Sequence, residues 1–395
     1  MADVVLSRLA ADAVRRGHPW VYAQGLRGSP RAGEPPRIAT LRGEDGARLG
    51  VGVLDPGSPI AVRVWALGER ARLDAAVFEE RLARALAIRA ALFPGEATTA
   101  YRILNGEGDR TPGFVLDRYG DVGVLRLDGE GARAVAPALT AGIEPLLRNA
   151  GITTLLEREA VRGEAPVVHV RFGPERATAT VREHGVPFVV DLLHGQKTGA
   201  FLDQRENRRR IGDLVATRKA AGLGIRVLNL FSYTGGFSLR AALAGATVTS
   251  VDVAAKAHAT AQESFRLAGV DPRGHTFAAA DAFAYLESAK RRGERWDVVI
   301  SDPPSFAPSE KAKARGLTAY RALHHACADV LAPGGTLVAA SCSSHVGAED
   351  FLTTLDDAAL GRGDLRVLEV HGAPPDHPSL ATFPEGRYLK LVVLA

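Results

Sequence analysis

The sequence predicts an α/β protein: a doubly wound parallel sheet over residues 191–395, preceded by a small β-rich domain at 1–73 and an α+β middle domain at 74–190. Three observations predict it. From residue 226 onward, short apolar runs alternate with helical patterns, as in a parallel sheet covered by helices on both faces. Residues 226–252, RVLNLFSYTGGFSLRAALAGATVTSVD, form a strand–glycine turn–helix–strand–acid unit of the Rossmann-like kind. Each strand in the alternation ends on polar or glycine residues, where an open α/β sheet places its ligand.

Residues 1–73 carry short alternating runs broken by Gly and Pro (GHPWVYAQGL, PPRIATLRG, LGVGVLDPGSPIAVRVWAL), the pattern of a β-rich domain. Apolar spacing with an Arg/Glu outer face predicts a helix over 73–93. Residues 101–128 read as hairpins, with turns at Gly106-Glu107-Gly108-Asp109 and Tyr119-Gly120-Asp121. A helix near 132–149 and strands near 154–157 and 167–172 complete the middle domain. Strands within 177–193 lead into GQKTGAFLDQRENRRR. The expected order is then strand 226–231, helix 236–244, strand 247–251, helix 254–268, strand 275–279, helix 282–292 and strand 296–301. A helix around 317–332, a strand at 336–341, a helix near 348–360 and strands near 365–371 and 388–394 close the chain.

With 395 residues and 46% hydrophobic content, the chain can bury large cores in two or three domains. No apolar run reaches membrane-spanning length, and MADVVLSRLAADAVRR has neither the apolar core nor the cleavage site of a signal peptide. Two cysteines, Cys327 and Cys342, make no disulfide framework, so a cytoplasmic protein is expected. No metal-ligand spacing surrounds His324 and His325, and no metal or membrane partner is expected. The formal charge of +4 suits a polyanionic partner without demanding one.

The unit at 226–252 points to an adenosine-containing ligand. Glycines let the backbone approach a ligand closely, the helix N-terminus offers free N–H groups, and Asp252 is placed to accept hydrogen bonds from a ribose. Yet YTGGF does not fit G-x-G-x-x-G, and no G-K-[ST] occurs, so neither a dinucleotide site nor a P-loop is present. The other predicted strand ends carry Asp281, Asp302-Pro303-Pro304-Ser305 and Ser341-Cys342-Ser343-Ser344. Two prolines cannot continue a ladder. They fix a rigid exit that aims Asp302 into the cleft, with Phe306 following as an aromatic able to stack on a planar base.

The order NLFSYTGGF, VD, AAD, DPPSF, APGG, SCS resembles class I S-adenosylmethionine methyltransferases. More narrowly, GQKTGAFLDQRENR and DPPSFA resemble the RlmI-like family, 5-methylcytosine methyltransferases of large-subunit ribosomal RNA. The resemblance runs through the chain: GHPWVY matches that family's PUA domain, GEGDRTPGFVLDRYGDV its middle domain, and DHP and PEGRYLK its tail. It implies S-adenosyl-L-methionine as cofactor and large-subunit ribosomal RNA as partner. Phe201 and Gln204 would border the cofactor, and the turn Tyr233, Thr234, Gly235, Gly236 would hold its methionine part. Asp252 would take the ribose hydroxyls with Val253 beside it, and Asp281 the adenine amino group with Ala282 beside it. Asp302 would lie between methyl donor and base. Lys197 and Arg205 would meet either phosphate or the cofactor carboxylate. Asn229 stands where many methyltransferases carry an acid; within this subgroup an amide is expected. The oligomeric state stays open, a homodimer being one arrangement.

Cys342 decides the chemistry expected. Cytosine C5 is a poor nucleophile, and a thiolate adding at C6 turns it into an enamine-like carbon. Many RNA cytosine methyltransferases also carry a Cys after the Pro-Pro; here Ser305 stands there, so a single-cysteine mechanism is implied. Cys327, inside the helical pattern ALHHACADVL, is expected to be a buried small hydrophobe. His18-Pro19-Trp20 is expected to pack within the β domain. His345 is expected to be solvated beside the site. Lys311, Lys313 and Arg315 form a basic run next to DPPSF, which reads either as a solvated face or as a contact to RNA phosphates. Two rival functions have distinct signatures. A guanine N7 methyltransferase, whose family shares a DPP-Thr/Ser-Phe loop, needs no thiol. An RNA-binding ribosome assembly factor that has lost activity needs none of Asp252, Asp281, Asp302 and Cys342.

Overall fold

The computed structural model describes residues 2–28, 33–159 and 166–395. The chain forms two compact units: Met1–Gly185 with Val190–Leu202 and Pro375–Gly386, and Val186–Val189 with Asp203–Pro374 and Arg387–Ala395.

The first unit holds two five-stranded sheets. One runs, in spatial order, Ala2–Val5, Arg37–Arg42, Arg48–Leu54, Val62–Leu67 and Trp20–Val21. The other runs Val167–Phe172, Thr154–Glu159, Val122–Leu127, Phe114–Tyr119 and Ala100–Asn105. Between them lies the helix Ala75–Leu92. Asp74 caps it by accepting the Val77 N–H at 3.0 Å, and Phe78, Leu82 and Ala85 recur on its buried face. Those side chains share one core with Val51, Val53 and Trp65 of the first sheet and with Ile103, Phe114 and Leu116 of the second.

The single helix expected near 132–149 is two, Glu130–Leu139 and Glu144–Asn149. Pro145 sits in the first turn of the second, the position where its missing N–H and fixed φ do no harm. Together the two helices carry the chain between Val122–Leu127 and Thr154–Glu159, the one parallel pair of this sheet.

The His18-Pro19-Trp20 segment, expected to pack within residues 1–73, also packs against residues outside them. Trp20 meets Phe383 edge to face, centroids 4.6 Å apart, and its indole N–H donates to Glu107 at 2.7 Å. The core also holds a polar seam: Arg102 forks onto Asp117 at 2.8 and 3.0 Å, and Asp117 is fully buried.

In the second unit seven strands form one sheet: β1 (Arg226–Leu230), β2 (Thr247–Asp252), β3 (Thr276–Ala279), β4 (Trp296–Ser301), β5 (Leu331–Ser341), β6 (Val367–His371) and β7 (Lys390–Leu394). Their order is β3-β2-β1-β4-β5-β7-β6. The first five are parallel; β7 is antiparallel to both β5 and β6, so the sheet is mixed at one edge rather than parallel throughout. The order reverses between β1 and β4, which opens the crevice characteristic of doubly wound sheets.

Helices α1 (Arg205–Ala220), α2 (Gly236–Leu243) and α3 (Ala255–Leu267) supply one face, and α4 (Ala282–Arg291) and α5 (Lys313–Asp329) supply the other. Strand periodicity sorts the cores. Leu228 and Leu230 of β1 pack with Leu286, Tyr320 and Leu323, while Val227 packs with Ile211, Phe237 and Phe265. The helix expected near 348–360 is two short ones, α6 (Ala348–Leu352) and α7 (Asp357–Leu360), because Asp356 caps the second by accepting the Ala359 N–H at 2.7 Å.

The Arg102–Asp117 pair generates a prediction. Arg102→Met leaves Asp117 charged and buried, and urea denaturation should show a loss of roughly 3–5 kcal/mol. A loss below about 1 kcal/mol would mean that the pair is not needed by the core.

Candidate functional site

The strand ends of β1, β2, β4 and β5 converge in the second unit. After β1 the backbone takes left-handed conformations at Phe231 (φ 55°), Tyr233 (φ 45°) and Gly235 (φ 73°). For side-chain-bearing residues this costs about 1–3 kcal/mol each and persists only where surrounding bonds impose it. Here they do. Ser232 N–H donates to the Val251 carbonyl at 3.0 Å and Tyr233 N–H to Asp252 Oδ2 at 2.8 Å, while Asp252 Oδ1 accepts the Ala254 N–H at 2.8 Å. Each carboxylate oxygen keeps a second lone pair for a ligand.

Gly235 is the N-cap of α2 and, having no side chain, supplies no cap bond to the first-turn N–H groups. A Cβ at Gly235 would lie 3.0 Å from Ala261 Cβ, and one at Gly236 would lie 2.6 Å from Arg208 Cδ. The turn is therefore a tight backbone cradle. Beneath it, Asn229 Nδ2 donates to Ser238 Oγ at 2.9 Å, and Ser238 Oγ meets Ser250 Oγ at 2.7 Å, all three buried. The amide at 229 thus works as a donor into a hydroxyl ladder, and among the described residues its Oδ1 has no hydrogen-bond partner.

At the other strand ends, Asp281 is exposed and caps α4, accepting the Ala284 N–H at 3.0 Å; Ala282 is buried and Val253 is exposed. Asp302 is half-buried, and its Oδ2 accepts from Gln204 Nε2 at 2.9 Å. Gln204 is oriented in turn by Asn207, whose Nδ2 donates to Gln204 Oε1 at 2.6 Å. This relay fixes which end of the Gln204 amide faces the carboxylate.

Cys342 follows the end of β5. Ser341 and Ser343, its neighbours, are fully buried, and Cys342, pointing the other way, is half-buried. Its Sγ lies 4.0 Å from the Pro303 carbonyl, which puts the thiol beside the Asp302-Pro303-Pro304 exit. Tyr320 Oη holds both flanking serines at 2.9 Å, and Ser343 Oγ reaches Ser305 Oγ at 2.9 Å. Burial pushes the Tyr320 hydroxyl upward, with its serine partners pulling the other way, so it stays protonated and able to donate. Cys327, by contrast, is fully buried, and burial pushes its thiol up to about 12. His324 is a core residue between Tyr320 and Phe351, pushed down to about 4 by burial.

The other candidates singled out in the sequence have varied surroundings. Arg205 is fully buried, with Nε 3.3 Å from Glu206 Oε1, so it presents no surface to RNA. Phe306 is half-buried and packs on Tyr320, with centroids 4.9 Å apart and the rings tilted by 48°. Lys313 pairs with Asp350 at 2.7 Å, whereas Lys311 is exposed. His345 faces Glu310 at 3.4 Å. Lys197 and Phe201 belong to the first unit, where the Lys197 ammonium lies 4.5 Å from the Phe201 ring centroid. Among the described residues no His/Cys/Asp/Glu group is arranged to hold a metal, and no helix is long and apolar enough to cross a membrane. Tyr320 and Lys390 were missed by sequence reasoning. The only local signal was a lone cation opening the apolar run KLVVL.

Two family models match the chain: PUA-like domain at residues 4–66 and S-adenosylmethionine-dependent methyltransferase at 155–389. The chain is 40% identical to a ribosomal RNA large subunit methyltransferase of Deinococcus radiodurans, covering 98% of this chain and 96% of the relative. It is 34% identical to the ribosomal RNA large subunit methyltransferase I of Klebsiella pneumoniae, over the same shares. Among solved structures, SMU.776 in complex with SAH superposes with a TM-score of 0.86 at 23% identity, covering all of both chains, which shows the shared fold. The mixed sheet is thus that of a methyltransferase, and the chain belongs to the S-adenosylmethionine-dependent ribosomal RNA large subunit methyltransferase family.

Proposed function

We propose that this chain transfers a methyl group from S-adenosyl-L-methionine to C5 of a cytosine in 23S ribosomal RNA, with Cys342 as covalent nucleophile. The observation that carries this reading is the half-buried Cys342 thiol beside the Pro303 carbonyl, one strand end from Asp302. A thiol is the one group here that cytosine C5 chemistry needs and guanine N7 methylation does not.

In this reading the Tyr233–Gly236 turn holds the amino-acid end of the cofactor on the α2 N-terminus, where N–H groups favour a carboxylate. The spare lone pairs of Asp252 accept from the ribose hydroxyls, and the free oxygen of Asp281 accepts from the adenine amino group, with Val253 and Ala282 alongside. Gln204 borders the same ligand, and Asp302, oriented by Gln204, stands between donor and base. Lys197 and the exposed Lys311 meet RNA phosphate. When bound, the cofactor supplies an electrophilic methyl group. The Cys342 thiolate adds to cytosine C6, and the electron pair so displaced makes C5 nucleophilic. C5 then takes the methyl group, a base removes the C5 proton, and the thiolate leaves as the C5–C6 double bond reforms. Residues 1–73 grip RNA through shape and backbone contacts, 74–190 form a middle domain, and 191–395 carry the chemistry. The target base is reached in a loop or as a flipped nucleotide.

Two outcomes are expected. Cys342→Ala, incubated with unmodified ribosomal RNA and labelled cofactor, should lose methyl transfer by on the order of a thousandfold or more while still binding the cofactor. Undiminished methylation would sink the covalent step, and nucleoside mass analysis should find 5-methylcytidine rather than 7-methylguanosine in the wild-type product. Separately, Asp252→Ala should weaken S-adenosylmethionine binding in calorimetry by about ten- to a hundredfold, the worth of hydrogen bonds to a charged group. Unchanged affinity would remove Asp252 from the cofactor site.

A further inference from the structure

Lys390 opens β7 and is the Cα partner of Ser341 across the antiparallel β5–β7 pair, one residue before Cys342. It is 4% exposed. Its ammonium has three N–H bonds, and each finds a backbone carbonyl: Ser343 at 2.6 Å, Val346 at 2.7 Å and Tyr388 at 2.7 Å. Two of these carbonyls bracket the turn that directly follows Cys342. Among the described residues no carboxylate forms an ion pair with Lys390, although burying a cation without one costs several kcal/mol. A Leu or Met would fill the start of KLVVL at no such cost. The cation therefore asks for a reason other than packing.

We propose that Lys390 is a positioning residue for Cys342: its ammonium clamps the 343–346 turn that follows the thiol and favours the thiolate. This deepens the covalent reading above and rests on it. The two groups are electrostatically coupled. Burial pushes Lys390 down to about 8, while the Cys342 and Asp350 anions both act in the opposite sense. At pH 7 the ammonium is still mostly protonated, and its support for the thiolate fades as pH rises through about 8.

The other charged or titratable groups around the turn are engaged elsewhere. Asp350 pairs with Lys313 at 2.7 Å, and His345 faces Glu310 at 3.4 Å. Tyr320, from α5, bonds the two serines, and Asp302 is held by Gln204. Lys390 is the cation whose donors hold the turn itself. Its removal would act on the nucleophile twice, through the charge and through the geometry of the carbonyl cradle.

The test is alkylation of Cys342 by iodoacetamide across pH in the full-length protein, without RNA or cofactor, the labelled peptide being identified by mass spectrometry. Cys327, fully buried, stays unlabelled. Lys390→Met should alkylate about tenfold more slowly at neutral pH, with the half-maximal rate moved to higher pH by about one unit. An unchanged profile in a folded Lys390→Met protein would overturn the proposal. If that variant shows no cooperative melting transition, the wild type decides. Its half-maximal alkylation pH should lie below that of the same chain in urea, and an equal or higher value would overturn the proposal. The readout needs no methyl transfer. An active Cys342→Ala enzyme would therefore defeat the covalent reading, whereas an unshifted alkylation profile would defeat the role of Lys390.

Discussion

The site depends on the buried lattice that joins the two loops leaving β4 and β5. Tyr320 Oη binds Ser341 and Ser343, Ser343 binds Ser305, and Lys390 binds the carbonyls of Ser343 and Val346. Buried polar groups of this kind hold one geometry because each lost bond leaves an unsatisfied partner in a low-dielectric core. The consequence is local and chemical. With both serines drawn inward, strand alternation turns Cys342 the other way, toward Pro303 and the crevice. Such rigidity suits a nucleophile, because its reach to a target carbon is set by backbone rather than by a flexible side chain.

The turn after β1, which holds the cofactor in the proposed reading, is built on the same logic with backbone as the main material. Three residues in left-handed conformation within five positions make a turn that needs restraint, and Asp252 supplies it through the Tyr233 and Ala254 N–H groups. One carboxylate thus braces the turn and leaves lone pairs over. In the proposed reading those lone pairs meet the ribose, so the brace and the ligand contact are one group. The same economy holds at Asp281, which caps α4 while keeping one oxygen for a ligand.

Much of the second unit was legible in the sequence because buried parallel strands are continuous apolar runs and their ends are abruptly polar. β1, β2 and β4 announce themselves in VLNLF, VTSVD and WDVVIS, and the strand-end residues follow without knowledge of packing. What was not legible was the side-chain traffic across long sequence separations. Gln204 finds Asp302, and Lys390 finds Ser343, only after the sheet is assembled. The inward turn of Arg205 and Arg208 with Ile211 and Val215 on α1 has no signal in RENRRR, where no apolar spacing marks those two arginines off from their neighbours. The return of Pro375–Gly386 to the first unit has no local pattern either; Phe383 is placed there by its contact with Trp20. The unbroken helix expected over 132–149 failed on a readable signal, since Pro145 belongs at a helix start.

The central claim is that Cys342 bonds to the target base during methyl transfer. Ribosomal RNA carrying 5-fluorocytidine has fluorine where the C5 proton must leave, so a methylated adduct formed on it cannot eliminate the thiolate. Incubated with this RNA and S-adenosylmethionine, then denatured and digested, the protein should yield a nucleotide covalently attached to Cys342. Cofactor consumption with no attached nucleotide, or attachment at Cys327 instead, would contradict the account.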